Sequence, residues 1–133
     1  MLSGLNHLTL AVSHLPRSFG FYVDVLGFKP RAKWAKGAYL SLGDLWLCLS
    51  LESVVERKTD YTHYAFTIAS DDMPSFREKI QQAGAIEWKS NKSEGESIYF
   101  LDPDGHQLEV HCGDLESRLR SCKENPYDEM EFF

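Results

Sequence analysis

His7, His63 and Glu109 are the side chains of this 133-residue sequence whose types and placement best suit a divalent metal. Each stands in a stretch that alternates apolar with polar residues, as a half-buried strand does. The stretches are Asn6-His7-Leu8-Thr9-Leu10-Ala11-Val12, Thr62-His63-Tyr64-Ala65-Phe66-Thr67-Ile68 and Gln107-Leu108-Glu109-Val110-His111-Cys112. Strand side chains point alternately to opposite faces. His7 and Thr9 therefore face away from Leu8 and Leu10, His63 away from Tyr64 and Phe66, and Glu109 away from Leu108 and Val110. Trp46, Cys48 and Ser50 likewise face away from Leu45, Leu47 and Leu49. If the strands curl into a cup, burying these polar groups unpaired would cost roughly 2–7 kcal/mol each. A cation satisfies them. Two imidazoles and one carboxylate leave open positions on the metal, and an open site rich in oxygen suits manganese or ferrous iron. A lone histidine on a strand is more often a satisfied polar residue, but His7 and His63 occupy matching places in two similar halves of the chain. His14, His106 and His111 have no such match and read as loop or rim residues.

The elements that must position these groups follow from periodicity. After the first strand, a helical stretch starts near Pro16, carries Phe19, Tyr22, Val23 and Leu26 on one face, and stops at Gly27. Strands are expected near 29–34, 38–42 and 45–51, with Gly43-Asp44 as a hairpin turn. The second half repeats the plan: a strand over 62–68, a helix capped by Ser70 that carries Phe76, Ile80 and Ala83 and ends at Gly84, then strands near 87–89, 97–101 and 107–112. Asp102-Pro103-Asp104-Gly105 forms the last turn. The pattern is β-α-β-β-β twice, over about 4–52 and 60–112, with a charged linker between. A final helix over about 114–125 starts from a cap at Asp114, runs through Leu115, Leu119 and Cys122, and keeps Arg118 on its polar side. The fold class is α+β, in one domain over 1–133.

A net charge of -6 removes any electrostatic reason to expect nucleic acid or an anionic membrane surface. No leader and no span long and apolar enough for a bilayer is apparent, so a cytoplasmic location is expected. Cys48, Cys112 and Cys122 form no CxxC and no close pair, which suits reduced thiols.

Beyond these patterns, the runs Gly4 to Val12, Gly37-Ala38-Tyr39-Leu40, Leu45-Trp46-Leu47-Cys48-Leu49-Ser50, Asp60 to Phe66, Asn91-Lys92-Ser93-Glu94-Gly95 and Tyr99-Phe100-Leu101-Asp102-Pro103-Asp104-Gly105-His106 are distinctive. Together they closely resemble the fosfomycin-modifying glutathione transferases of the vicinal-oxygen-chelate superfamily. The resemblance covers nearly the whole chain, including Arg118-Leu119 and Pro126-Tyr127. It implies curled mixed sheets paired across a domain-swapped type of homodimer, with His7 of one chain joining His63 and Glu109 of the other around Mn2+. It implies that glutathione opens the epoxide of fosfomycin, with Thr9 hydrogen-bonding the epoxide oxygen and Tyr39 assisting thiolate formation. Lys89, Ser93, Tyr99 and Arg118 match phosphonate-binding positions, and Trp46, Cys48 and Tyr61 match the lining of the drug and thiol pocket. Asn91, Ser93, Glu94, Gly95 and Ser97 match a loop that binds K+ through oxygen atoms. Relatives that hydrolyse the epoxide place a carboxylate where this chain has Gly37, and bacillithiol-dependent relatives place cysteine where it has Thr9. Both differences favour glutathione.

Two rival readings use the same scaffold. A drug-sequestering binding protein would need no metal triad, and a ring-cleaving dioxygenase or glyoxalase would leave the set of Lys89, Ser93 and Arg118 unexplained.

Overall fold

A computed structural model describes residues 1–133 as two four-stranded mixed sheets. The first sheet holds β1 (His7–Val12), β2 (Lys29–Trp34), β3 (Gly37–Leu42) and β4 (Leu45–Leu51), in the order β1-β4-β3-β2. The second holds β5 (Tyr64–Thr67), β6 (Glu87–Lys89), β7 (Ser97–Leu101) and β8 (Gln107–His111), in the order β5-β8-β7-β6. In each half the outer pair is parallel, β1 with β4 and β5 with β8, and the others are antiparallel. The internal repeat read from the sequence is thus a repeat of topology.

Alternation places one face of the inner strands in a core shared by both halves, while β2 is exposed along its whole length. Leu10, Val12, Leu40, Leu47 and Leu49 from the first sheet meet Ile98, Phe100, Leu108 and Val110 from the second, with Phe21 against Phe100 and Phe28 edge-on to Phe66. Two helices add to this core, α1 (Leu15–Gly20) through Leu15 and α2 (Met73–Gln82) through Met73 and Ile80, and α3 (Leu115–Glu124) follows β8.

Four local expectations need correction. Beyond Gly20 the first helix widens into a π-helical segment, Phe21–Val25, so Leu15, Ser18, Phe21 and Tyr22 are buried, while the expected Phe19, Val23 and Leu26 pack against the core only partly buried. A π segment adds a residue to the turn and rotates the residues beyond it, which a regular 3.6-residue reading of the face does not contain. Ser70 does not cap α2: a 3-10 turn, Ser70–Asp72, comes first, and the Ser70 hydroxyl donates to Glu96 at 3.4 Å. Ala83 lies past the end of α2 and is exposed. Leu115 opens α3 but is exposed, and the helix is anchored instead by buried Cys122 and its Asp114 cap, whose carboxylate accepts from the Ser117 amide at 2.8 Å.

The Asp102-Pro103-Asp104-Gly105 turn also docks onto the first half of the chain. The Tyr22 hydroxyl donates to Asp102 at 2.7 Å, and Asp104 accepts from the Ser13 amide at 3.1 Å, the Ser13 hydroxyl and the Ser18 hydroxyl at 3.3 Å. Arg17 adds an ion pair to Asp104 at 3.4 Å. His106 is no rim residue, since its Nε2 donates to the Ala11 carbonyl at 2.7 Å. His14 caps α1 by accepting from the Arg17 amide.

Candidate metal centre

His63 stands one residue before β5, and Glu109 is the middle residue of β8. The His63 Nε2 lies 3.0 Å from Glu109 Oε2, and the carboxylate is nearly buried, its side chain 8% exposed. On its other edge the imidazole Nδ1 lies 2.8 Å from the Tyr61 carbonyl oxygen. A carbonyl can only accept, so Nδ1 carries the hydrogen and Nε2 of a neutral ring presents a lone pair. That lone pair faces a carboxylate oxygen, which also accepts. Two acceptors at 3.0 Å need a proton or a cation between them, and a backbone carbonyl on the far nitrogen is the arrangement that orients histidine ligands. The pair fits a divalent metal on this ground.

The remaining Glu109 oxygen, Oε1, accepts from the Ser97 hydroxyl at 2.7 Å, and Ser97 is 2.7 Å from Nδ1 of His111. His111 is therefore not on the rim. Its alternation with Glu109 on β8 was the signal, since both belong to the polar face of one strand. The structure brings Ser97 to Glu109 and leaves the other residues of the expected K+ loop further along: Asn91 donates to the carbonyls of Ser93 at 3.4 Å and Gly95 at 2.7 Å. Gly95 itself has φ +78°, and a Cβ there would stand 2.4 Å from the Cys112 carbonyl. Only glycine lets the loop pass so close.

His63 and Glu109 form one wall of a cavity of about 440 Å³ whose other lining residues are Tyr61, Lys89, Lys92, Ser93, Tyr99, Arg118 and Tyr127. Lys89, Ser93, Tyr99, Arg118 and Tyr61 from the sequence reading are thus gathered together. Lys92 and Tyr127 were not read as site residues, because neither lies on a periodic face that could have pointed it inward. Lys89 donates to the Tyr61 hydroxyl, which holds its ammonium above the ordinary lysine value against the opposing effect of desolvation. Its Nζ also sits over the rings of Tyr61 and Tyr99, 4.4 and 4.8 Å from their centroids. Arg118 is half-buried rather than on a free polar face. Desolvation pulls its pKa down, but hydrogen bonds with Tyr127 and Glu94 outweigh this and leave it raised. Its guanidinium donates to the Ser93 hydroxyl at 3.2 Å and to the Glu94 carboxylate at 3.3 Å. Three cations and several hydroxyls beside one buried carboxylate suit a small anion bearing several oxygens.

The first half contributes a separate surface. Register places His7 beside Trp46, and Thr9 and Tyr39 on either side of Cys48. The rings of Trp34, Tyr39, Trp46 and His7 form a row, with successive centroids 4.7, 5.3 and 4.5 Å apart. Trp34, Tyr39 and Trp46 are 45%, 40% and 38% exposed, so this aromatic face is open. His7 Nδ1 pairs with Asn6 Oδ1 at 2.7 Å, which leaves Nε2 directed elsewhere. Within one chain His7 does not join His63 and Glu109, and no three His, Cys, Asp or Glu side chains gather for a metal.

Two mixed β-α-β-β-β sheets carry a histidine and carboxylate pair suited to a metal, and the chain belongs to the Glyoxalase/Bleomycin resistance protein/Dioxygenase superfamily, matched over residues 4–110. Within it, the chain is 53% identical to the glutathione transferase FosA of Serratia marcescens, over 99% of this chain and 96% of that one. It is 40% identical to the metallothiol transferase FosB of Shouchella clausii, over 90% and 86% of the two chains. A mutant of the fosfomycin resistance protein FosX from Listeria monocytogenes, solved with Mn(II) and 1S,2S-dihydroxypropylphosphonic acid, superposes with a TM-score of 0.82 at 33% identity, covering 91% of this chain and 98% of that one. No helix of the chain is long and apolar enough to cross a membrane.

Proposed function

We propose that the protein is a metal-dependent glutathione transferase that inactivates fosfomycin by opening its epoxide. The observation that carries this reading is the cavity in which His63 and Glu109 share a wall with Lys89, Arg118, Ser93 and Tyr99, in a chain 53% identical to a glutathione transferase FosA. A metal binder alone would not need the cations, and an anion binder alone would not need the ligand pair.

Mn(II) would be held by His63 and Glu109 together with His7 of a second chain, and would supply Lewis-acid stabilisation of negative charge on the epoxide oxygen. Lys89 and Arg118 neutralise the phosphonate, and the hydroxyls of Ser93 and Tyr99 donate to its oxygens. Glutathione sulfur attacks the ring carbon that bears the phosphonate. The carbon–oxygen bond breaks toward the oxygen, where the Thr9 hydroxyl donates a hydrogen bond, and the thiol proton ends on that oxygen. Tyr39, Trp46, Cys48 and Tyr61 border the thiol and drug, Tyr39 favouring the thiolate. Potassium is assigned to the loop of Asn91, Ser93, Glu94, Gly95 and Ser97, where the Gly95 carbonyl accepts from the Asn91 amide, the Glu94 carbonyl accepts from Arg118, and Ser97 turns to Glu109. Hydrolysis is disfavoured by Gly37, where even a Cβ would stand 2.6 Å from the Leu49 carbonyl and the Trp34 ring, leaving no room for a carboxylate base.

The working unit is a homodimer of single-domain chains with two shared sites, in the cytoplasm, where glutathione is abundant and Cys48, Cys112 and Cys122 stay reduced. Support for sharing comes from the outward aromatic face around His7 and from the separation of His7 from His63 and Glu109 in one chain. Mixing a His7→Ala chain with a Glu109→Ala chain tests it, since a heterodimer then holds one intact site. Activity should return on mixing, and continued inactivity of a demonstrated heterodimer would overturn sharing. Mass spectrometry of fosfomycin incubated with the protein, Mn(II) and glutathione tests the reaction itself. The glutathione adduct is expected; a diol would mean hydrolysis, and unchanged drug would mean a binding protein.

A further inference from the structure

We propose that Gln107 is a positioning residue for His63, holding the backbone of the loop that presents the imidazole. The β5–β8 ladder starts at Tyr64 opposite Leu108, and in that parallel register His63 would stand level with Gln107. Backbone pairing stops there. The Gln107 Nε2 instead donates to the carbonyls of both Asp60 and Thr62, each at 2.8 Å. The carbonyl between them, that of Tyr61, accepts from His63 Nδ1 at 2.8 Å, and the Thr62 amide donates to the Asp60 carboxylate at 2.9 Å.

Three successive carbonyls are thus fixed by two side chains. Gln107 is only 9% exposed, and turning its amide over would set an oxygen against two carbonyl oxygens, so its orientation is one-way. The Tyr61 carbonyl stays where Nδ1 of His63 can reach it only while the carbonyls on either side are held. Gln107 does not line the cavity, so its effect on the site passes through His63. Residues 60–63 belong to no strand or helix that could hold them otherwise.

The proposal rests on the metal reading above, and its test separates the two. Gln107→Met keeps the volume without donors, and Gln107→Glu keeps the shape while replacing donors with an acceptor. In metal-free protein, the ¹⁵N spectrum of the His63 ring should show the Nδ1–H tautomer for the native chain and a mixture for both variants, with faster hydrogen exchange at the Thr62 amide. Both variants should bind Mn(II), measured by electron paramagnetic resonance, about tenfold more weakly. Added charge cannot explain that pattern, because an extra carboxylate by itself would tighten cation binding. An unchanged tautomer and exchange rate in both variants would overturn the proposal. If these change while the native protein fails to bind Mn(II), the positioning role stands and the metal reading falls.

Discussion

The hydrogen on Nδ1 of His63 decides what its other nitrogen can do. Because the Tyr61 carbonyl holds that hydrogen, Nε2 is left as an acceptor beside Glu109, and a cation is the natural third member. Glu109→Ala and His63→Ala should therefore abolish tight Mn(II) binding and fosfomycin conversion while circular dichroism shows the fold retained. Near-normal turnover in Glu109→Ala would defeat the assignment. Thr9→Val should act differently, lowering kcat by roughly tenfold or more, as loss of a hydrogen bond made to developing charge does, with Mn(II) affinity unchanged. At this scale strand alternation made Glu109 legible, and it pointed to His63 as well, although the strand expected over 62–68 starts only at Tyr64 and a loop presents the imidazole. It did not reveal Ser97 as the partner of Glu109 or Gln107 as the support of the His63 loop. Those links join residues on different elements, and strand alternation carries no information about which hydroxyl or amide meets which oxygen.

Among the elements, long alternating strands were the most readable and helix starts the least. Ser70 looks like a cap because serine before an apolar period usually is one, yet a 3-10 turn intervenes and the hydroxyl turns to Glu96. The π segment after α1 escapes any regular 3.6-residue count for the same kind of reason: tertiary packing of Phe21 and Tyr22 outweighs local preference. Asp114 is the contrary case, a cap legible in sequence and present in the structure. The Ser117 backbone amide holds its pKa below the ordinary 3.8, so the stabilisation is present above that value and is lost as pH falls through the depressed one. Unfolding of native protein and Asp114→Asn should therefore differ at neutral pH and converge only as pH falls below 3.8 and through the depressed value, as followed by helical ellipticity. A constant difference across that range would contradict the capping role.

The two halves of the molecule hold together through more than apolar packing. Asp102 receives the Tyr22 hydroxyl and the amides of Asp104 and His106, all drawn into the protein interior. Asp102→Ala strands those donors and should cost about 3 kcal/mol, read from the urea midpoint. Burial raises the Asp102 pKa above 3.8 despite these hydrogen bonds. The protonation-linked part of its contribution is then complete below that value and lost as pH rises through the raised one, a slope that Asp102→Asn should remove while the hydrogen-bonded part persists. The turn was visible in the sequence as a turn. Its role as a clasp was not, because Tyr22 and Asp102 are eighty residues apart and nothing local marks them as partners.

The aromatic face around His7 is open to solvent and takes no part in the cavity that holds His63 and Glu109. If two chains complete each centre as proposed, a solitary chain would be inert, and the yield of working centres would follow the law of mass action. Below the dissociation constant of the pair, halving the protein would quarter the number of competent pockets. Protection against the drug should then switch on sharply with expression level rather than climb in proportion to it.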